Sequence, residues 1–109
     1  MSPHYRFISV PINKKGAEEC EYRMDEGSSN VHEFEIPEEL YLRFSDSETA
    51  DKILNIDGVL FGDYESDHIS ADCIGKCLNI LRESEFQNSI ISGAFKDALN
   101  YGFGLYTDF

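Results

Sequence analysis

The chain has 109 residues, of which 41% are hydrophobic, and it carries 21 acidic against 9 basic side chains. This length and apolar content suit a single domain over residues 1–109 with one core and no disulfide or metal staple. The net charge of −12 disfavours direct binding to nucleic acid and to acidic membranes, because like charges repel.

The sequence lacks the signals of membrane insertion and export. No apolar run approaches the ~20 residues that cross a bilayer. The first residues, MSPHYRFISV, lack the basic start and long apolar stretch of a signal peptide. We therefore expect a cytoplasmic protein. Cys73 and Cys77 lie four residues apart among aliphatic residues, so we expect buried, reduced thiols.

The acidic side chains are unevenly distributed. Residues 18–72 hold 17 acids and 3 bases, whereas the rest of the chain holds 4 acids and 6 bases. Such a concentration attracts cationic partners with fast, salt-sensitive association. A solubilising surface without any partner is the alternative explanation.

The first third of the chain predicts strands. Residues 4–12 are rich in β-branched and aromatic side chains, and Pro11 lies near the end, as is typical of a strand terminus. Residues 13–19 are predicted to form a polar turn. Residues 20–24 alternate apolar and polar side chains and predict a second strand.

A half-buried strand is predicted over residues 31–36. Its period of two places three side chains on one face and two acids on the other, namely His32, Phe34 and Ile36 against Glu33 and Glu35. The next segment, residues 37–46, is ambiguous. Its Pro-Glu-Glu start suits the first turn of a helix, while Leu40, Leu42 and Phe44 alternate as in a strand. Both possibilities stay open.

Three helices are predicted in the second half. The first is capped by Asp46 or Ser47, buries Ala50, Ile53 and Leu54, and ends at Gly58, after which residues 59–61 form a brief strand. The second covers residues 70–84, with Ser70 as N-cap and a hydrophobic staple between Ile69 and Ile74. Its buried stripe is Ile74, Cys77, Leu78 and Leu81.

The third helix starts at Asn88 or Ser89 and ends at Tyr101 before Gly102, with a buried face of Ile91, Ala94, Phe95, Ala98 and Leu99. Residues 103–109 then alternate as a short strand. The expected fold is α+β, a small mainly antiparallel sheet from the N-terminal half packed on one face by two C-terminal helices. A mixed sheet with the final strand in its centre is the alternative.

Patterns of known catalytic and cofactor sites do not match this chain. The loop DGVLFGDYESD lacks the ligand register of a calcium-binding EF-hand. His68, Cys73 and Cys77 lack zinc-ligand spacing, and nothing marks an activated thiol. No phosphate-binding glycine motif is present. We therefore expect no catalytic residues, no metal, no cofactor and no enzyme activity. A hydrolase using His68 with Cys73, or two convergent carboxylates, is a minor alternative.

The candidate partner-binding residues lie in an acidic loop between residues 57 and 72 that contains aromatic side chains. Carboxylates steer and pair with Lys or Arg, while a desolvated ring supplies contact area. The candidates are Asp63, Tyr64, Glu65, Asp67 and His68, with Glu33 and Glu35 as a secondary acidic patch.

With the loop FGDYESDHISADC before a helix and the ending YGFGLYTDF, the chain resembles the small acidic immunity proteins encoded beside bacterial polymorphic toxins, including those of contact-dependent growth inhibition. The resemblance implies a protein that binds one cognate toxin, frequently a basic nuclease, and occludes its active site. An acidic adaptor or a DNA-mimic regulatory protein is the alternative.

Overall fold

The computed structural model describes residues 6–22, 24–25, 27–56 and 66–108. These residues form four strands and five helices. Their order is β1 (Arg6–Pro11), α1 (Lys14–Glu21), β2 (Val31–Ile36), α2 (Glu38–Ser45), α3 (Glu48–Leu54), β3 (Ser66–Ile69), α4 (Ala71–Arg82), α5 (Ile90–Tyr101) and β4 (Leu105–Asp108).

The four strands make one sheet in the order β2-β1-β4-β3, and every neighbouring pair is antiparallel. The predicted α+β class is therefore confirmed. The expectation that the sheet comes from the N-terminal half is wrong, because β3 and β4 belong to the second half. The last strand lies inside the sheet, as the alternative had it, but the sheet is antiparallel rather than mixed.

The inner face of the sheet packs against α4 and α5, as expected from their apolar stripes. Ile8 and Val10 of β1, Ile69 of β3 and Leu105 of β4 are at most 1% exposed and join one core with both helices. Burying such aliphatic side chains stabilises the fold by roughly 1.5–3 kcal/mol each. This shared core holds the four strands in one orientation relative to the helices.

The two C-terminal helices begin and end close to the predicted residues. The hydroxyl of Ser89 accepts a hydrogen bond from the Ser92 amide, and Gly102 ends α5 with a φ of 81°. Ser70 is the N-cap of α4, but its hydroxyl contacts the Cys73 sulfur at 3.5 Å instead of capping the backbone. The prediction that Leu99 is buried is wrong, since it is 49% exposed.

The ambiguous segment is the helix α2. Tyr41 and Phe44 are buried, whereas Leu42 is 53% exposed, which is the spacing of a helix with one face on the core. In α3 the predicted cap is confirmed, because Ser47 accepts a hydrogen bond from the Ala50 amide. Ala50 and Ile53 are buried as predicted, while Leu54 is 40% exposed. The helix ends at Leu54, earlier than the predicted end at Gly58. Gly58 and the strand predicted at residues 59–61 lie outside the described residues.

Residues 14–21 form the helix α1, so the predicted polar turn and second strand are wrong. Asn13 begins the helix, and its side-chain oxygen accepts a hydrogen bond from the Gly16 amide at 2.8 Å. Gly16 and Cys20, four residues apart, are the buried residues of α1. The Asn13 and Asn30 side chains are joined by a hydrogen bond of 2.9 Å, which ties the helix start to the start of β2.

Helix α1 covers part of the outer face of the sheet, opposite α4 and α5. The outward residues Ser9, Pro11 and Val31 are buried beside it. The described helices have at most 12 residues, and none of them is long and apolar enough to cross a membrane.

Candidate partner-binding surface

The strand register places two parallel rows of side chains on the outer face. The first row crosses all four strands through Glu33, Ser9, Tyr106 and His68. The second row runs beside it through Glu35, Phe7 and Asp108. We call the exposed part of these two rows the outer acidic face, formed by Glu33, Glu35, His68, Tyr106 and Asp108.

The predicted strand patch lies on this face as expected. Glu33 and Glu35 are both exposed, and the period of two directs them away from the core, whereas Phe34 and Ile36 contribute to it. His32 is on the inner side, where its Nδ1 lies 2.7 Å from Asp97 Oδ2 on α5. The two-faced character of β2 is therefore as predicted.

The predicted loop patch is only partly described, and its end is a strand. Residues 66–69 form β3, where a loop was expected, because they pair with β4. His68 is exposed on the outer acidic face, and the Asp67 backbone pairs with Thr107. Asp63, Tyr64 and Glu65 lie outside the described residues, as does the Asp67 side chain.

The structure brings the two predicted patches onto one face. His68 and Glu33 lie at opposite ends of the first row, with Tyr106 and Ser9 between them. Three strand spacings of about 4.8 Å separate their backbones by roughly 14 Å. They therefore lie on the same side of the sheet, although α1 covers Ser9 between them.

Two residues of this surface, Tyr106 and Asp108, and the adjacent Phe7 were missed by sequence reasoning. Tyr106 and Asp108 belong to β4, and Phe7 belongs to β1 between Glu35 and Asp108. The sequence pattern could have indicated Tyr106 and Asp108. A strand that buries Leu105 and Thr107 must direct Tyr106 and Asp108 to the other face. The position of that strand within the sheet was needed to connect them to Glu35.

The rings of His68 and Tyr106 are stacked, with centroids 4.4 Å apart and planes inclined by 22°. Tyr106 is half-buried, and burial is the main cause that raises the pKa of its phenol, followed by Cys20 and Glu21 of α1. Glu21 is therefore close enough to add its charge to this end of the face. The result is an aromatic pair inside an acidic field.

Within the described strands the one basic side chain is Arg6, and it lies on the inner side of the sheet. Its guanidinium carbon is 3.7 Å from the centroid of the Tyr41 ring. Arg6 pairs with Ile36, which has the inward register of the core. The described positions of the outer rows therefore combine several carboxylates with no lysine or arginine, which favours a negative potential on this side of the sheet.

Glu19 is acidic but has a structural role. Its carboxylate accepts a hydrogen bond of 2.9 Å from the Asn30 side chain. Hydrogen bonds from Ser28 and Asn30 lower the pKa of this carboxyl, with a smaller contribution from the charge of Lys15. Glu19 thus holds α1 to the segment before β2 and is not part of the outer acidic face.

A second group of acidic side chains has basic side chains close to it, and it is therefore less suited to binding a cationic partner. Glu48, Glu83 and Glu85 line a shallow groove between α3 and the end of α4, together with Lys52. Glu85 Oε2 lies 3.7 Å from Arg43 Nη2. These positive charges offset part of the negative potential there.

The described residues contain no group of three His, Cys, Asp or Glu side chains that could hold a metal ion. His68 faces outward, whereas Cys73 is buried in the core on the other side of the sheet. Burial raises the pKa of the Cys20 and Cys77 thiols to about 12, so both are protonated at neutral pH. The surface is equipped for electrostatic and aromatic contact.

Comparison with known proteins identifies a similar fold. No family model matches the chain, and no curated protein sequence matches it. The solved structure of the Neisseria DNA mimic protein DMP12 superposes on it with a TM-score of 0.61 and 14% sequence identity. The match covers 97% of this chain and 100% of that chain. The two proteins therefore share a fold over nearly their whole lengths.

Proposed function

We propose that this protein binds the cationic, nucleic-acid-binding surface of another protein and occupies it in place of DNA. The observation that carries the proposal is the outer acidic face, where Glu33, Glu35 and Asp108 are exposed and the described outward strand positions hold no lysine or arginine. Its action would be stoichiometric and non-enzymatic, because the surface acts by covering a site.

The spacing of these carboxylates suits the lysine and arginine side chains with which a partner normally binds phosphates. Glu33 and Glu35 are two residues apart on one strand, which separates them by about 6.7 Å, and Asp108 lies two strands from Glu35, about 10 Å away. Lysine and arginine form charge-assisted hydrogen bonds with carboxylates as they do with phosphates. The sheet fixes the backbone of these residues before binding, so a partner has to order only their side chains.

The fold neighbour favours DNA mimicry over toxin immunity. That protein is described as a DNA mimic, and this chain combines the same fold with a net charge of −12. The partner would then be a DNA-handling protein. The second candidate is a cognate basic nuclease toxin, as the resemblance to immunity proteins implies, and the same face would occlude its active site.

A displacement assay tests the proposal. A labelled DNA duplex is bound to each of several basic DNA-binding proteins, and to a nuclease domain encoded beside this chain, at about 50 mM and about 200 mM salt. Addition of this protein should release the duplex from a DNA-binding protein, more effectively at low salt. Release from the nuclease alone would instead support immunity. Failure to release DNA from any of them at low salt would refute both.

A further inference from the structure

The stacked His68–Tyr106 pair lies at the β3 edge of the outer acidic face. Pairs of rings across two strands stabilise sheets, by roughly 0.2–1 kcal/mol. This pair is also accessible to solvent, because His68 is exposed on the outer face. The neighbouring cross-strand pair, Ile69 and Leu105, belongs to the core on the inner face. Its outward surface is therefore available for contact.

The position of the His68 ring is held by its surroundings. Tyr106 stacks against it at 4.4 Å. Gly104 approaches it on another side, since a Cβ added to Gly104 would lie 2.9 Å from His68 Nε2. A ring held in this way loses little conformational freedom when a ligand packs on it, and this lowers the cost of binding.

The chemistry around the pair selects a planar cation. Asp108 is two residues from Tyr106 on the same face, and the charge of Glu21 acts on the Tyr106 phenol. A guanidinium can lie flat on an aromatic ring and bind carboxylates beside it, whereas an ammonium is a compact, strongly hydrated charge. Arginine therefore suits this place better than lysine.

We infer that the His68–Tyr106 pair is the binding site for an arginine side chain of the basic partner, an inference that rests on the proposed function. The partner's arginine stacks on the rings and pairs with the carboxylates of the outer acidic face. The surrounding acids supply attraction to any cation, and the rings supply discrimination. The pair is thus a specificity-determining element of the surface.

Oligoarginine and oligolysine peptides of equal length are the probes, and calorimetric titration at about 50 mM salt measures their affinities. Wild-type protein should prefer the arginine peptide by about two- to fivefold. His68→Ala should remove this preference, and His68→Phe should keep it. His32→Ala, which removes an imidazole from the inner side, is the control and should leave the preference unchanged.

Equal preference in wild-type protein and His68→Ala would overturn the inference, and so would absence of binding by either peptide. The proposed function fails separately. If wild-type protein and His68→Ala displace a DNA-binding partner from its duplex equally well, the inferred arginine site is wrong and the proposed DNA mimicry is still supported. If the arginine preference depends on His68 but no duplex is released, the arginine site is confirmed and the proposed function is wrong.

Discussion

Glu33 and His68 share one face of the sheet because three residue pairings connect them across the four strands. Glu33 pairs with Ser9, Ser9 pairs with Tyr106, and Tyr106 pairs with His68. A shift of one residue in any of these pairings would place one end on the core side. The outer acidic face is therefore a product of long-range pairing between segments that are distant in sequence.

The first prediction concerns the location of charge. We expect the triple variant Glu33→Gln/Glu35→Gln/Asp108→Asn to lower affinity for a basic partner about tenfold or more and to weaken its salt dependence, because it removes charges from the contact face. Surface plasmon resonance at several salt concentrations measures both the affinity and the association rate.

A matched variant separates location from net charge. Glu38→Gln/Glu39→Gln/Glu48→Gln removes the same charge from exposed positions on α2 and α3. It should slow association slightly and leave dissociation unchanged. If both triple variants weaken binding equally, total charge and not the outer acidic face is responsible.

The second prediction compares two glycines inside helices. A Cβ at Gly16 would meet the Asn30 carbonyl oxygen within 2.0 Å, whereas a Cβ at Gly75 would have nothing within 4 Å. We expect Gly16→Ala to destabilise the protein by about 1–3 kcal/mol, because α1 must move off the backbone. Gly75→Ala should stabilise it by about 0.5–1 kcal/mol. Urea unfolding measures both, and equal effects would contradict the close packing of α1.

Helices with their own apolar stripe were predictable from sequence. In α4 the buried residues Ile74, Cys77 and Leu78 recur at helical spacing, and the sequence alone indicates both the helix and its inward face. Helix α1 has no such stripe, because KKGAEECE buries only a glycine and a cysteine. Its helical state depends on packing against the sheet and the Asn30 segment, which a local pattern does not reveal.

The candidate surface was predictable as residue types but not as an arrangement. Alternation in β2 showed that Glu33 and Glu35 face outward. The four residues of β3 are too few for a periodic signal, so His68 was expected in a loop. Its partner strand β4 follows it in the sequence only after α4 and α5. The pairing of β3 with β4 brings Tyr106 and Asp108 to the same face as His68.

The third prediction concerns the loop between α4 and α5. Phe86 is 1% exposed and packs edge-on against Phe44 at 5.3 Å. Its carbonyl accepts hydrogen bonds from the Ser89 hydroxyl at 2.8 Å and from the buried Ser92 hydroxyl at 2.6 Å. We expect Phe86→Ala to cost about 3–5 kcal/mol through the cavity it leaves. Thermal unfolding checks this, and Leu99→Ala on the exposed side of α5 should change stability little.

The fourth prediction concerns alkaline pH. Burial raises the pKa of Cys20 and Cys77 from 9.0 to about 12, with charges of Asp25, Glu19 and Glu33 adding to the effect at Cys20. The folded protein therefore keeps both thiols protonated at a pH where the unfolded chain releases the protons. Their contribution to the free energy of unfolding is complete below about pH 9 and is lost as the pH rises from about 9 towards about 12.

Urea unfolding between about pH 8 and about pH 9.5 measures the first part of this loss, below the unfolded-state pKa of 10.0 at which Tyr106 begins to contribute. The control is Cys20→Ala/Cys77→Ala, which is less stable at every pH because of the lost packing but should show a shallower decline, since its unfolded state has fewer thiols to ionise. Alkylation provides an independent check, because both thiols should react with iodoacetamide in urea and resist it in the folded protein. Equal slopes for the two proteins would contradict the prediction.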